Sequence, residues 1–251
     1  MTFLHSTSTP LAHQVLELLA YFVGARLYFA SARRQPRPGP ALDRLLLVAS
    51  AAFGAMLGSK LLHVAEHLPA LRGQPLAVWL GGKSLLGGFL GGTAAVEMAK
   101  RSIAWKPSTG DAWVPAIVVG IIIGRIGCQL SGLWDQTYGN PTDLPWAWDY
   151  GDGVPRHPVA AYEIVLVACA WLGVSRMHGK AGQRFAALMA AYCLIRLCLE
   201  FLKPPFAVEA AGTLPTTLLA GLTAIQWAAI VGLGYFGWRV FMLRPADHGN
   251  S

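Results

Sequence analysis

The stretch that decides the fold of this chain reads GRIGCQLSGLWDQTYGNPTDLPWAWDYGDGVPRHPVAAYE, over residues 124–163. It begins with Arg125, at the end of an apolar run that is typical of a membrane helix, and ends with Tyr162 and Glu163 inside a second apolar run. The polar loop between them, of about thirty residues, cannot span a bilayer. Ionisable groups in or beside membrane spans are costly and usually face a protein interior or a polar cavity. The stretch therefore predicts a membrane protein with a functional site on one side of the membrane.

Composition also favours a membrane protein. Hydrophobic residues make up 54% of the 251 residues and charged residues only 13%, whereas a soluble domain carries about 25% charged residues. The mean hydropathy is positive. A net charge of +7 suggests nucleic acid only in a soluble protein, so we expect no nucleic-acid partner. The first ten residues lack a basic region and a small-residue cleavage site, so no cleavable signal peptide is expected.

Apolar runs that are long enough to cross a bilayer recur along the whole chain, since a transmembrane helix needs roughly 20 apolar residues. We predict an all-α polytopic membrane protein with seven transmembrane helices in a single domain, residues 1–251. The predicted spans are about 11–30, 45–63, 76–98, 112–130, 159–175, 185–202 and 217–240.

Charges in the predicted loops indicate the orientation. The connections at 31–44, 99–111 and 176–184 and the C-terminal end are basic, whereas the loop at 131–158 has four aspartates and one arginine, Arg156. Because basic loops stay on the cytoplasmic side, we predict that the C-terminus is cytoplasmic. The N-terminus and the loop at 131–158 are then expected outside.

The third predicted span is unusually rich in glycine. It contains three glycine pairs, and Lys83 follows the first of them. This density predicts a broken or re-entrant segment over 80–88, which membrane proteins tolerate only where it lines a cavity or is buried in protein. Two interpretations remain open. Lys83 and the backbone near Gly87 and Gly88 bind an anion, or the small residues allow close helix packing.

Ionisable side chains inside the spans point to a candidate site. Arg125 lies near the outer end of the fourth span, where an arginine costs about 2.5–3.5 kcal/mol on insertion scales. Tyr192, Arg196 and Glu200 are four residues apart and share one face of the sixth span. The alternatives are structural: Arg125 snorkels to the interface, and Arg196 and Glu200 neutralise each other.

A possible metal motif lies at the end of the second span. His63, Glu66 and His67 match an H-x-x-E-H zinc pattern. No third ligand is evident in the sequence, so we expect no metal site. The four cysteines show no disulfide framework.

Several motifs occur together in an informative order. They are GGKSLLGGFLGG, GRIG, YGNPTDLPW, RHPVAAYE and YCLIRLCLEFLKPP. Their order and spacing resemble the bacterial prolipoprotein diacylglyceryl transferase family over about residues 21–205. The resemblance implies seven spans in the bacterial inner membrane with a periplasmic N-terminus. It also implies an enzyme that moves diacylglycerol from phosphatidylglycerol to a lipobox cysteine thiol of a secreted preprotein and releases glycerol phosphate.

The resemblance assigns roles to particular residues. Arg125 and Arg196 match family arginines and are expected to hold the lipid phosphate and stabilise the leaving group. Tyr192 and Glu200 match their helix neighbours, and Glu200 is expected to orient Arg196. Gly139 matches a family glycine at the headgroup. No cofactor is implied. The implied partners are phosphatidylglycerol, or a related anionic phospholipid, and a preprolipoprotein-like acceptor.

The chain departs from the family pattern at positions used for chemistry. Leu86 stands where the family has a histidine, and Cys128 stands where it has an asparagine. A base must still generate the thiolate, which is the true nucleophile, and the candidates are His157, Asp135 and Glu17. His157 also fits a structural turn before the next helix. Cys128 is either a packing residue at a helix end or a nucleophile that accepts the lipid group first.

Two functions follow from these observations. The first is a transferase of this family, with its usual or an altered acceptor or lipid donor. The second is a non-enzymatic membrane protein that keeps the fold and an anionic-lipid site, because fold does not imply function. Loss of the family histidine and asparagine favours the second, whereas retention of polar groups that are costly in a membrane favours the first.

Overall fold

The computed structural model describes residues 11–36, 39–204 and 217–244. Both ends of the chain, and parts of two connections between predicted spans, therefore lie outside the described residues. The α-helices of the described part are α1 (Leu11–Ala32), α2 (Ala41–Leu71), α3 (Leu76–Gly81), α4 (Leu85–Ser102), α5 (Val114–Ser131), α6 (Val159–Ser175), α7 (Gln183–Glu200) and α8 (Ala224–Met242). Short 3-10 helices at Gly110–Trp113 and Gly132–Asp135 flank α5. Two antiparallel hairpins pair β1 (Trp148–Asp149) with β2 (Pro155–Arg156) and β3 (Thr217–Leu219) with β4 (Leu222–Thr223).

Three helical segments of the described residues are long and apolar enough to cross a membrane. They are Leu11–Ala32, Ala41–Leu68 and Gly110–Asp135. Helix α6 is also apolar but has only 17 residues. The protein is therefore mostly helical and of the multi-pass membrane type, as its composition predicted.

The helix pairs place α5, α6 and α7 side by side. Helix α1 packs on α5, α2 on α4 and α7 on α8, while α6 contacts both α5 and α7. The buried apolar core lies among α5, α6, α7 and α8, and Leu86 of α4 belongs to it. Polar side chains on the facing sides of α5, α6 and α7 are therefore held away from lipid.

Helix α5 is delimited by residues with special backbones. Pro115 lies in its first turn, where the missing N–H costs no helical hydrogen bond. Gly132, with φ of 61°, ends the helix. The 3-10 turn that follows carries Asp135 back over the end of α5, close to Cys128.

The predicted boundaries of two spans need correction. Helix α2 covers Ala41–Leu71 and is longer than the predicted 45–63 at both ends. The last predicted span was wrong over residues 217–223, which form the β3–β4 hairpin with a turn at Ala220 and Gly221, both at positive φ. Helix α8 starts at Ala224 because Thr223 and Gln226 form a reciprocal capping box.

A break is present in the third predicted span, but it covers only residues 82–84 and not the predicted 80–88. Helix α3 ends at Gly81 and α4 begins at Leu85, so three residues lie between them. Lys60 of α2 donates hydrogen bonds to the backbone carbonyls of Leu80 and Gly82, the latter at 2.7 Å, where α3 ends. Ser84 caps α4 by accepting the N–H of Gly87 at 3.3 Å. Backbone groups that a break would leave unsatisfied in a membrane thus have partners.

Beyond the break, α4 packs against α2 through glycines. A Cβ on Gly87 would lie 2.4 Å from the carbonyl oxygen of Gly58, and a Cβ on Gly91 would lie 2.3 Å from that of Gly54. We call these four residues the glycine contact. Small residues at such positions allow two helix backbones to approach closely. Close packing, one of the two interpretations of the glycine-rich span, is therefore observed here.

Candidate functional site

Glu163 of α6 is the centre of a buried group of charged side chains. Its Oε1 lies 3.0 Å from Nε of Arg125 on α5 and accepts a hydrogen bond from the hydroxyl of Tyr192 on α7 at 2.9 Å. Its Oε2 accepts a hydrogen bond from Nη1 of Arg196 at 3.0 Å. Glu163 is only 1% exposed, so these groups, and not water, stabilise its charge.

Glu200 extends this group along α7. Its Oε2 accepts a hydrogen bond from Nη2 of Arg196 at 2.8 Å and lies 3.8 Å from Nζ of Lys203. The predicted shared face of α7 and the predicted Arg196–Glu200 pair are both present. We call Arg125, Glu163, Tyr192, Arg196 and Glu200 the ionic cluster.

The hydrogen-bond donors of the ionic cluster leave capacity for an anion. Three cations, Arg125, Arg196 and Lys203, face the carboxylates of Glu163 and Glu200. Each guanidinium carries five N–H donors, more than the contacts with these carboxylates use. The nearby carboxylate of Glu66 instead accepts the backbone N–H of Ile225 at 3.0 Å.

The two arginines differ in access to the outside of the protein. Only 5% of the Arg196 side chain is exposed, whereas 13% of the Arg125 side chain is exposed. Nε of Arg125 is close to Glu163 but is not aligned for a hydrogen bond. Arg125 is therefore the more exposed of the two arginines, and we call its side of the ionic cluster the open side.

Cys128 follows Arg125 by one helical turn. Nη1 of Arg125 donates to Sγ of Cys128 at 3.7 Å. His13 of α1 and Asp135 lie on the other side of the cysteine, and one donor atom from each of the three residues lies within 4.8 Å of the others. Motif analysis did not link these residues to one another, because they come from separate parts of the chain.

Lys83 and Glu17 connect the broken segment to the same region. Lys83 forms an ion pair with Oε1 of Glu17 on α1, which also accepts the hydroxyl of Tyr21 at 2.9 Å. Oε2 of Glu17 lies 4.0 Å from Nε2 of His13. A continuous line of ionisable groups therefore runs from Lys83 through α1 to the ionic cluster.

Gly87 and Gly88, candidates for an anion site, have their N–H groups engaged within α4. The N–H of Gly87 is donated to Oγ of Ser84, and that of Gly88 is donated to the Ser84 carbonyl at 3.0 Å. A Cβ on Gly88 would meet the carbonyl oxygen of Ala55 at an ordinary 3.5 Å. The two glycines thus serve helix capping and packing in this structure.

His157 and Gly139 lie together in the loop rather than in the ionic cluster. Nδ1 of His157 is 3.3 Å from the hydroxyl of Tyr162, and its backbone N–H is donated to the Asn140 carbonyl at 3.1 Å. A Cβ on Gly139 would lie 2.6 Å from Cβ of His157. These contacts support the structural-turn interpretation of His157 and explain why glycine stands at 139.

The exposed part of the same loop is held by an ion pair. Arg156 donates from Nη1 and Nη2 to the two carboxylate oxygens of Asp152, each at 2.7 Å. Its guanidinium also lies over the ring of Tyr138, 5.0 Å from the centroid. The hydrogen bonds from Arg156 hold the pKa of Asp152 below its usual value.

The residues of the H-x-x-E-H pattern do not converge on one point. The rings of His63 and His67 lie next to each other, with centroids 4.4 Å apart. Glu66 is turned away from them towards the start of α8, where it accepts the N–H of Ile225. The described contacts of this pattern are therefore structural.

Glu163 is the central residue to which sequence reasoning assigned no role. Its only signal was a carboxylate in an apolar run, directly after the RHPVAAY motif. The arginines were recognised because they matched motifs, but their common partner follows from the packing of three helices.

Comparison with known proteins agrees with the motifs. The family model described as prolipoprotein diacylglyceryl transferase matches residues 12–241. The chain belongs to the prolipoprotein diacylglyceryl transferase family. This is a family of membrane transferases of lipoprotein biosynthesis, and the match covers nearly all of the described residues.

Individual relatives span most of the chain. Proteins named phosphatidylglycerol–prolipoprotein diacylglyceryl transferase from two bacteria illustrate the range of similarity. The protein of Bordetella parapertussis is 32% identical over 250 residues, 90% of each chain. That of Geobacter sulfurreducens is 36% identical over 204 residues, 75% of this chain and 77% of the relative.

Proposed function

We propose that this protein transfers a diacylglyceryl group from phosphatidylglycerol, or a related anionic phospholipid, to the cysteine thiol of a preprolipoprotein. The observation that carries the proposal is the convergence of Arg125 and Arg196, from two different helices, on the buried carboxylate of Glu163. Family membership supports the same reaction, because relatives are named for these two substrates.

The proposed transfer moves negative charge from sulfur to phosphate. The thiol first loses its proton, and the thiolate sulfur forms a bond to a glyceryl carbon of the lipid. The bond between that carbon and the phosphate oxygen breaks, and its electron pair leaves with glycerol phosphate. Guanidinium donors aimed at the phosphate stabilise the charge that develops there.

The structure supports different roles for the two arginines. Arg125, on the open side of the ionic cluster, is the residue that contacts the phosphate. Arg196 is a positioning residue, because its contacts go to Glu163 and Glu200 and it is almost fully buried. Tyr192 and Glu200 complete the frame that holds Glu163 next to Nε of Arg125.

The group that activates the thiol differs from the family pattern. Leu86, in place of the family histidine, is 2% exposed and packs in the apolar core. Its aliphatic side chain cannot accept a proton from the thiol. We place activation on the other side of Arg125, where His13, Cys128 and Asp135 converge. The described side-chain contact of His157 is with Tyr162, in the first turn of α6, and does not reach this region.

We also propose the full membrane topology. Residues 1–251 form one domain with seven crossings of the bacterial inner membrane, a periplasmic N-terminus and a cytoplasmic C-terminus. The loop at 131–158 then lies at the outer surface, and the segment around the break between α3 and α4 is re-entrant. The basic connections support this orientation. The backbone carbonyls at the break accept hydrogen bonds from Lys60, which supports a position of the break inside the membrane. Reporter fusions that placed 131–158 in the cytoplasm would overturn it.

A transfer assay tests the function directly. Purified protein is mixed with phosphatidylglycerol micelles and a lipobox peptide, and the peptide is weighed by mass spectrometry. We expect a diacylglyceryl adduct on the peptide cysteine and none on a peptide in which serine replaces that cysteine. No adduct, in protein that still binds phosphatidylglycerol, would reject the transferase.

That negative result would select the second candidate, a non-enzymatic protein that binds anionic lipid. The observation that favours this candidate is the buried Leu86 at a position where the family uses a histidine. Both candidates require Arg125 to bind lipid phosphate, but only the transferase changes the mass of the peptide.

A further inference from the structure

We infer that His13, Cys128 and Asp135 form a binding site for a thiophilic divalent cation such as Zn²⁺. One nitrogen, one sulfur and one carboxylate oxygen from these side chains lie within 4.8 Å of one another. Imidazole, thiolate and carboxylate are the three ligand types that zinc takes in proteins. The three residues come from α1, from the last turn of α5 and from the 3-10 turn after it.

The measured geometry fits a small adjustment around one ion. Nδ1 of His13 lies 3.6 Å from Oδ1 of Asp135. Ligands of a tetrahedral zinc ion, at about 2.0–2.3 Å from the metal, are separated by about 3.3–3.8 Å. The nitrogen and oxygen are thus too far apart for a hydrogen bond but suitably spaced for a shared ion. Sγ of Cys128 lies within 4.8 Å of the ligand atoms of His13 and Asp135.

His13 provides a second and independent indication of a ligand. Its Nδ1 is buried and, among the residues that the structure describes, has no hydrogen-bond partner. An unsatisfied buried nitrogen is costly, and a bound cation would satisfy it. The other nitrogen, Nε2, faces the carboxylate of Glu17 at 4.0 Å. Histidine ligands of metals commonly donate their second ring N–H to a carboxylate, and Glu17 is the carboxylate nearest to that position, although 4.0 Å is longer than a hydrogen bond.

The remaining ligands are also oriented by neighbours. Oδ2 of Asp135 accepts the hydroxyl of Thr137 at 2.7 Å, which leaves Oδ1 towards His13. Sγ of Cys128 accepts a hydrogen bond from Nη1 of Arg125 at 3.7 Å, which fixes the position of the sulfur. A dication would balance the thiolate and the carboxylate, so the occupied site would be neutral beside Arg125.

Three protein ligands leave one coordination position of a tetrahedral zinc ion open, which is typical of catalytic rather than structural sites. On the proposed transferase function, on which this last step rests, the acceptor thiol of the preprotein takes that position. A thiol that coordinates zinc would release its proton to solvent water, and its sulfur would then be available as the thiolate next to Arg125. This would replace the histidine that is absent at Leu86.

Metal binding is tested without reference to activity. The purified full-length protein is analysed for zinc by elemental mass spectrometry and is titrated with Co²⁺ after chelation. We expect about one metal ion per chain and a thiolate-to-cobalt charge-transfer absorption. Cys128→Ser should abolish that absorption, whereas Cys169→Ser and Cys198→Ser, at exposed positions, should retain it.

A second set of variants separates ligands from their supports. His13→Ala and Asp135→Asn should each remove stoichiometric binding, while Thr137→Val, which keeps the side-chain shape, should weaken binding by about 10–100-fold. Absence of cobalt–thiolate absorption in the wild type, or its persistence in Cys128→Ser, would overturn the inference. With either result the peptide assay can still show a diacylglyceryl adduct, so failure of the metal site and failure of the transferase are distinguishable.

Discussion

The ionic cluster and the glycine contact both join helices of the predicted membrane region, but by opposite means. In the ionic cluster, α5, α6 and α7 are connected by long charged side chains that meet at Glu163. In the glycine contact, α2 and α4 approach until a single Cβ would collide with backbone oxygen. The ionic cluster depends on charged side-chain atoms, whereas the glycine contact depends on the absence of Cβ atoms.

This difference distinguishes two sequence features that were predicted to have the same function. Both the arginines and the glycine-rich span were candidates for binding a lipid anion. The arginines retain N–H donors beyond those used by their carboxylates, whereas Gly87 and Gly88 already donate to Ser84. The arginines thus keep donors for the anion of the proposed function, whereas the glycines are engaged in capping and packing. Substitutions should therefore act differently in the two regions.

The largest effect is expected from removal of the charge at the centre of the ionic cluster. Glu163→Gln keeps the size of the side chain but leaves Arg125 and Arg196 without their common anion. Breaking a buried ion pair from one side costs about 3–5 kcal/mol, which should lower the unfolding midpoint in detergent, followed by tryptophan fluorescence. Glu17→Gln is the control, since its partner Lys83 is 59% exposed and can be solvated. Equal effects of the two variants would contradict the central role of Glu163.

The next effect concerns function more than stability. Arg125→Ala should lower the rate of diacylglyceryl transfer to the lipobox peptide by about 10²–10³-fold, as expected for loss of a donor to developing negative charge. Arg125→Lys should recover only part of the rate, because lysine keeps the charge without the planar fork. Arg176→Ala, an arginine that donates to the Leu172 carbonyl near the other end of α6, should keep the wild-type rate. A wild-type rate in Arg125→Ala would remove the phosphate role.

A smaller loss is expected in the glycine contact, from one methyl group. In Gly87→Ala the new Cβ would lie 2.4 Å from the Gly58 carbonyl oxygen, so α2 and α4 must separate, at about 1–3 kcal/mol. In Gly88→Ala the nearest atom is 3.5 Å away, and stability should change by less than about 1 kcal/mol. Unfolding midpoints of the two variants, measured side by side, check the prediction. If both variants unfold like the wild type, the close approach of α2 and α4 is wrong.

The smallest effect is expected where an ion pair is exposed rather than buried. The pKa of Asp152 is held below its usual value of 3.8 by Arg156, so the pair stabilises the folded state only while the carboxylate is ionised. The difference in unfolding midpoint between wild type and Asp152→Asn should be small at pH 7. It should shrink as the pH falls below 3.8 and through the lower folded-state pKa. A difference that grows with acidity would have the wrong sign.

Much of the fold could be predicted because each helix is a local property of the chain. The predicted spans at 11–30, 159–175 and 185–202 lie within two residues of α1, α6 and α7 at every boundary. The break in the third span followed from glycine density. The hairpin at 217–223 was missed, because threonines and leucines in a short apolar run do not distinguish a strand from a helix.

Parts of the candidate site could be predicted in the same local way. The common face of Tyr192, Arg196 and Glu200 follows from helical spacing alone. The proximity of Arg125 to Cys128 also follows from their separation by one turn. The role of Glu163 and the meeting of His13 with Cys128 and Asp135 could not be predicted, because no spacing rule links residues of different helices.

By itself, the sequence determined that this protein is a helical membrane protein of a transferase family, since apolar runs and motifs consist of residues that are adjacent in the chain. Only the tertiary structure decided which charged side chains contact one another. Hydrogen bonds and ion pairs act over about 3–4 Å, and that distance depends on how α1, α5, α6 and α7 pack. The same packing decided that Gly87 lies against a backbone and that His13 faces a cysteine.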